Sequence, residues 1–314
     1  MSGDFRAKTY TYLRTTMVAL LVGLAVAVFY QTWRQGFFLS SVSAYYYTPA
    51  QGIFVGALIG LGACMIALRG TTDVEDVFLN FGGMFAAVVA IVPTSRGEDY
   101  RAAVRACEEA SGPLLTEAAS TSLDCPTILG LAAATRANVE NNMIALLAVG
   151  VLGLLATLLF ALRDRSRHRV DTSDARKVWW GFGAASIVLA GGGVAFWAYA
   201  EWFIDHAHYF AAVGLLACIV IVAMANALRR QRKQRGDASA ERTLRDALVG
   251  SPEYYAKIAW AMVGVATVGA ALMFADVISL FVLEIVVAAL FAVFWMVQTV
   301  EQLDDEPPGF PAET

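Results

Sequence analysis

Hydrophobic positions in this chain come in long unbroken runs, not in the alternating or three-to-four spacing of a half-exposed element. Eight runs bounded by charge lie at about 15–33, 52–68, 77–94, 141–162, 178–200, 208–228, 256–275 and 278–298. About 20 apolar residues at 1.5 Å per residue match a hydrocarbon layer roughly 30 Å thick. Each run therefore predicts a membrane-spanning helix. Runs this long and uniform do not suit barrel strands, and a bilayer offers backbone groups no other partner. The first run is too long for the apolar core of a signal peptide, and FFLSSVSAYYY after it lacks a small-x-small cleavage pattern, so it too is read as a span. The expected fold class is all-α: a single polytopic transmembrane helical bundle over 1–314. The narrowest boundary is ADVIS, between the last two runs, which makes either a tight hairpin or one interrupted element.

Composition agrees: 58% of the 314 residues are apolar and 16% charged, with a mean hydropathy of +0.58, beyond what a soluble domain hides. The net charge of -4 says less than its distribution. The amino-terminal segment (Arg6, Lys8, Arg14), Arg69, the 163–177 loop and the 229–257 loop carry 18 of the 23 Lys and Arg residues. Because positive loops stay inside, eight spans then put both termini in the cytoplasm of a multi-pass plasma-membrane protein. The basic first half of the 229–255 loop is expected on anionic lipid heads, and ASAERTLRDALVG suits a short surface helix before Gly250 and Pro252.

Under this topology the 95–140 loop faces outward and holds Cys107 and Cys125, whereas Cys64 and Cys218 lie in apolar runs. An oxidising outer side predicts a Cys107–Cys125 disulfide, closing 17 intervening residues and worth a few kcal/mol in the chain-entropy account. Free thiols in a mobile loop are the alternative. The seven tryptophans, Trp295 among them, fall near run ends as interfacial belts, and Tyr45, Tyr46 and Tyr47 form an outer aromatic cluster suited to capping the bundle. Pro49 pushes Thr48 toward extended geometry, so YYYTP reads as an outer turn. Glycines such as Gly56, Gly60, Gly264 and Gly269 fit close helix packing, or a homo-oligomer interface.

Ionisable residues within spans need a partner, a cavity or an interfacial position. Glu201, Asp205 and His208 are spaced to share one helical face, with His206 pointing elsewhere. Asp276 opens the last hairpin, and Glu284 lies six residues into the final run, roughly 9 Å from its start. All five map to the outer half. Asn80 and Asn226 map toward the cytoplasmic side and suit hydrogen bonds between helices. Zinc or another divalent cation at His206, His208, Asp205 and Glu201 is a further expectation, against a plain polar cap ending two helices. The only other histidine, His168, sits in the basic RDRSRHR loop. There is no GxSxG, Walker A, Rossmann or HExxH motif, and no basic, aromatic-lined groove for nucleic acid.

The segment Ser41 to Thr48, with Phe54 to Gly70, DHAHYFAAVG and VFWMVQTVE, resembles a group of uncharacterised bacterial integral membrane proteins, commonly actinobacterial. That resemblance implies a multi-pass fold and brings no activity. A fainter likeness, to ceramidase-like and progestin-receptor-like membrane hydrolases, implies three zinc-binding histidines with a serine and an aspartate. Ser41 or Ser43 would be the serine, but no H-x-x-x-H spacing occurs. The leading expectation is non-enzymatic: binding or passage of a small cation, proton or lipid-like ligand at Glu201, Asp205, His208, Asp276 and Glu284. The alternatives are a membrane-embedded metal-dependent hydrolase and a structural or assembly subunit with a membrane partner.

Overall fold

The computed structural model describes residues 2–70, 72–110, 124–166, 172–235, 254–275 and 277–302. Among the described residues the secondary structure is entirely helical. The helices are α1 (Ser2–Gln35), α2 (Gln51–Ala67), α3 (Asp73–Ile91), α4 (Glu98–Ala110), α5 (Cys125–Ser166), α6 (Thr172–Ala198), α7 (Ala200–Arg235), α8 (Tyr254–Phe274) and α9 (Leu280–Gln302), with a short 3-10 helix at Ser43–Tyr47. Each expected run centres on a different helix, although 77–94 outlasts α3 and 178–200 crosses the break at Tyr199. Among the described residues six helices are long and apolar enough to cross a membrane: α1, α3, α5, α6, α7 and α9. Helix α2 is apolar but only 17 residues long.

Reading apolar runs alone misses how far helices continue past them. The 95–140 stretch, expected as a loop, holds α4 and the first turns of α5. Its sequences EDYRAAVRACEEA and LAAATRANVENN are rich in Ala, Arg and Glu, good helix formers with no need of a bilayer. Likewise α7 continues through the basic RRQRKQR to Arg235. The surface helix expected in ASAERTLRDALVG lies outside the described residues. The ADVIS connection separates two distinct helices, α8 and α9, which pack closely: a Cβ at Gly269 would lie 2.4 Å from Leu283 Cδ1.

The chain divides into two compact units, residues 1–90 with 210–314, and residues 91–209. In the first, α1 packs on α2 and α9, and α8 on α9. Its interior includes Met17, Val28, Tyr45, Phe54, Met65, Leu79, Met262 and Phe294, each at most 2% exposed. Glycine sets the spacing. A Cβ on Gly62 would come 2.6 Å from Gly83 O, and one on Gly83 would come 2.5 Å from Gly62 O, so α2 and α3 cross backbone to backbone. Gly60 receives Leu20 of α1, as expected of its close-packing role, whereas Gly56 and Gly264 have open space where a Cβ would stand. Trp295 departs from the belt reading. It is 1% exposed, packed on Phe291 and Phe294 with the Arg14 guanidinium over its ring. Trp33, Trp180 and Trp197 are exposed, as belt residues are.

In the second unit, α5 pairs with α6: a Cβ on Gly150 would meet Leu189, and one on Gly193 would lie near Leu147. Only 6% of the apolar window of either helix is buried inside the protein, so side chains such as Leu152, Leu159, Phe160 and Ile187 are available to lipid. The expected disulfide is present, joining Cys107 near the end of α4 to Cys125 at the start of α5. Tyr100 Oη–H adds a hydrogen bond to Ile128 O.

Replacing Gly83 by valine forces α2 and α3 apart and should cost about 1–3 kcal/mol. Gly56→Ala has room for its methyl and should leave stability unchanged or raised by up to about 1 kcal/mol. Thermal unfolding of the two detergent-purified variants against wild type measures both, and equal melting of Gly83→Val and wild type would refute the crossing.

Candidate functional site

Helix α1 ends at Gln35, and Gly36 takes the left-handed conformation (φ 82°) that reverses the chain while its N–H closes on Thr32 O. The chain then runs through Phe37–Val42 into the 3-10 helix and on to α2. This stretch contains the tyrosine cluster, and it is not a surface loop. Ser41, Ser43, Tyr45 and Tyr46 are all buried. Tyr46 packs edge-on against Tyr47 and Phe54, and Tyr45 against Phe281 of α9. Thr48 is extended (φ -124°, ψ 173°) before Pro49, as expected.

Buried backbone needs partners, and this segment finds them locally and on two helices. Thr32 Oγ1–H donates to Val28 O, so the Tyr45 hydroxyl donates to Thr32 Oγ1 and accepts the Leu39 N–H. Ala44 N–H donates to Ser41 Oγ at 3.0 Å, and Thr48 Oγ1–H to Tyr45 O at 2.8 Å. On α9, Phe281 N–H donates to Ser40 O at 2.9 Å. One turn further along, Glu284 Oε2 accepts the Val42 N–H and Oε1 accepts the Ser43 hydroxyl at 3.1 Å. Glu284 thereby caps the 3-10 helix, for which Val42 supplies no side-chain acceptor. Among the described residues the carboxylate has no Lys, Arg or His partner. An acid in an apolar span is thus held by neutral donors.

The remaining expected site residues lie apart from that arrangement in the chain. Asp276 is outside the described residues. Glu201, Asp205 and His208 belong to the 91–209 unit and Glu284 to the other. Helix α6 ends at Ala198 and α7 begins at Ala200, so Glu201, Asp205 and His208 lie on one helix, as their spacing predicts. Glu201 is exposed and stands 3.9 Å from Arg136, a contact worth little in water. Asp205 is exposed as well. His206 stacks on Trp202 and bonds the Trp202 carbonyl at 2.9 Å. His208, only 3% exposed, gives its Nδ1–H to Val92 O at 2.7 Å, just past the end of α3. Tyr209 reaches the hydroxyls of Thr94 and Ser95. DHAHYF thus ties the chain leaving α3 to the start of α7. Among the described residues no group of three or more His, Cys, Asp and Glu side chains is placed to hold a metal ion.

Sequence reasoning passed over Glu75. It is 2% exposed on α3, with Oε1 accepting the Asn226 amide of α7 at 2.9 Å. Asn226 thus makes the interhelical bond expected of it. The signal was faint but present: Glu75 stands four residues before buried Leu79, on the same helical face. Thr32 carried no signal at all.

No family model, no curated protein and no solved structure matches the chain.

Removing the His208 imidazole leaves Val92 O buried without its donor, so His208→Ala should cost about 1–3 kcal/mol. His206→Ala should stay within about 0.5 kcal/mol of wild type. Thermal unfolding in detergent checks both, and equal melting of the two variants would remove the cap assignment.

Proposed function

We propose that the chain crosses a bacterial plasma membrane eight times, with both ends in the cytoplasm, and binds or passes a proton or small cation at Glu284. The Lys and Arg asymmetry and an oxidised Cys107–Cys125 pair in the opposite loop support that orientation. The observation that carries the ligand reading is the partner set of Glu284. Structural carboxylates in apolar spans are commonly neutralised by a fixed cation. Among the described residues the partners are the Val42 and Ser43 N–H groups and the Ser43 hydroxyl, all neutral, so the negative charge is left for a mobile positive ion to complement. Asp276, Glu201 and Asp205 are auxiliary candidates in the approach of that ion. The second reading, a structural subunit, draws on His208, Asn226 and Tyr45, each committed to an internal bond.

The test is flux in proteoliposomes. Glu284→Gln keeps the shape and one acceptor oxygen but loses the charge, so proton or sodium flux per folded protein should fall tenfold or more. Flux equal to wild type with both ions would sink the ligand reading and leave the structural one. Orientation is checked separately with a reporter fused after Gln302, which should report the cytoplasmic side.

A further inference from the structure

Resting on that reading of Glu284, the contacts of this carboxylate carry a second consequence. The two oxygens that a cation would use are the ones that hold the segment between α1 and α2. Oε2 accepts Val42 N–H and Oε1 accepts Ser43 Oγ–H. A cation on either oxygen faces the positive ends of these two donors, and a protonated oxygen is a poorer acceptor for them. We propose that the Val42–Tyr47 turn is a gate over Glu284, docked when the carboxylate is empty and released when a cation occupies it.

Three features give this geometry its content. The gate meets α9 through few polar contacts: Glu284 holds its start, and Phe281 N–H holds Ser40 O just before it. Its upstream end carries a reversal at Gly36, whose positive φ is a natural pivot. The groups facing Glu284 from its neighbours leave the carboxylate as the charged member. The segment offers Val42, Ser43 and, beside Phe281, Tyr45; α1 offers Thr32 to Tyr45; α8 offers Gly269 to Leu283. None of these is charged at neutral pH. Coupling is reciprocal: whatever loosens the gate strengthens cation binding by the same factor.

The experiment reads gate exposure without any assay of flux. Ala44→Cys places a thiol in the turn; the native cysteines are either buried or disulfide-bonded, so wild type sets the background. A membrane-impermeant maleimide is applied to intact cells and to inverted vesicles, which makes the result independent of orientation. Labelling of Ala44→Cys should be slow, should rise about fivefold with Ser43→Ala or with Glu284→Gln, whose neutral amide stands in for the protonated carboxyl, and should rise tenfold or more with Glu284→Ala. It should also rise in either mildly acidic buffer or sodium, relative to neutral buffer containing only a bulky organic cation. Ser43→Ala removes one hydroxyl, so it remains informative should Glu284→Ala fail to fold. Fast labelling already in Ala44→Cys alone, or rates indifferent to Ser43→Ala and to the ion, overturns the gate. Flux that falls in Glu284→Gln while labelling never moves keeps the ligand reading and removes the gate. Labelling that responds to the substitutions but not to any ion, with flux unaffected, marks a fixed lock and removes both.

Discussion

Backbone amides placed away from water must be bonded, and the stretch from Gly36 to Ala50 shows what that demands of a helical membrane protein. It has too few residues for another span, and at Ser41, Ser43, Tyr45 and Tyr46 it is buried too well for solvent to serve it. Its N–H and C=O groups are instead met by the hydroxyls of Ser41, Thr48 and Tyr45, by the amide of Phe281 and by the carboxylate of Glu284. Irregular backbone is tolerated within an apolar bundle only where protein replaces water in this way. The packing of Tyr45 and Tyr46 against Phe281 and Phe54 depends on this bonding, because rings can fill the space only once the chain that carries them is fixed.

The same logic runs through the other polar residues of the helices. His208 serves a carbonyl exposed where α3 stops, and Asn226 serves both Glu75 and its own helix at Val222. In each case a side chain from one helix completes the hydrogen bonding of another part of the chain. Glu284 belongs to this group by geometry and differs by charge. Its donors, from Val42 and Ser43, are all neutral, and it sits a single turn from the start of its helix.

The fold was legible because its strongest determinant is one-dimensional. Eight unbroken apolar runs each became a helix, and the cysteine pair in the longest intervening stretch was found bonded. The sequence was less informative wherever helical and apolar lengths part company. Helix α4 has no unbroken apolar run; its signal is the helical spacing of Tyr100, Ala103, Val104 and Cys107, which a search for long runs passes over. Trp295 was misread for a related reason: a tryptophan near a run end resembles an interfacial anchor until the ring is seen beneath Arg14. At the candidate site, Glu284 stood out as an acid six residues into an apolar run. Its partners could not be read, since Val42 contributes a backbone amide, which no side-chain pattern records, and lies 242 positions away. Conversely, the shared helical face of Glu201, Asp205 and His208 was sound periodicity but a poor guide to surroundings. The first two meet solvent, while the third, a turn deeper, meets α3's exit.

Helix α5 has an implication of another kind. Its 42 residues run unbroken from Cys125 to Ser166, roughly 63 Å at 1.5 Å per residue and about twice the thickness of a hydrocarbon layer. The polar early turns and the apolar later ones are one rod, and the disulfide fastens α4 to its tip. Leaning of the rod in the lipid is therefore magnified at the fastened end, where a tilt of about 10° over some 25 Å of projecting helix sweeps roughly 4 Å. In a bilayer, thickness governs such tilts, and a rod of this length would turn a change in thickness into displacement at the Cys107–Cys125 bond.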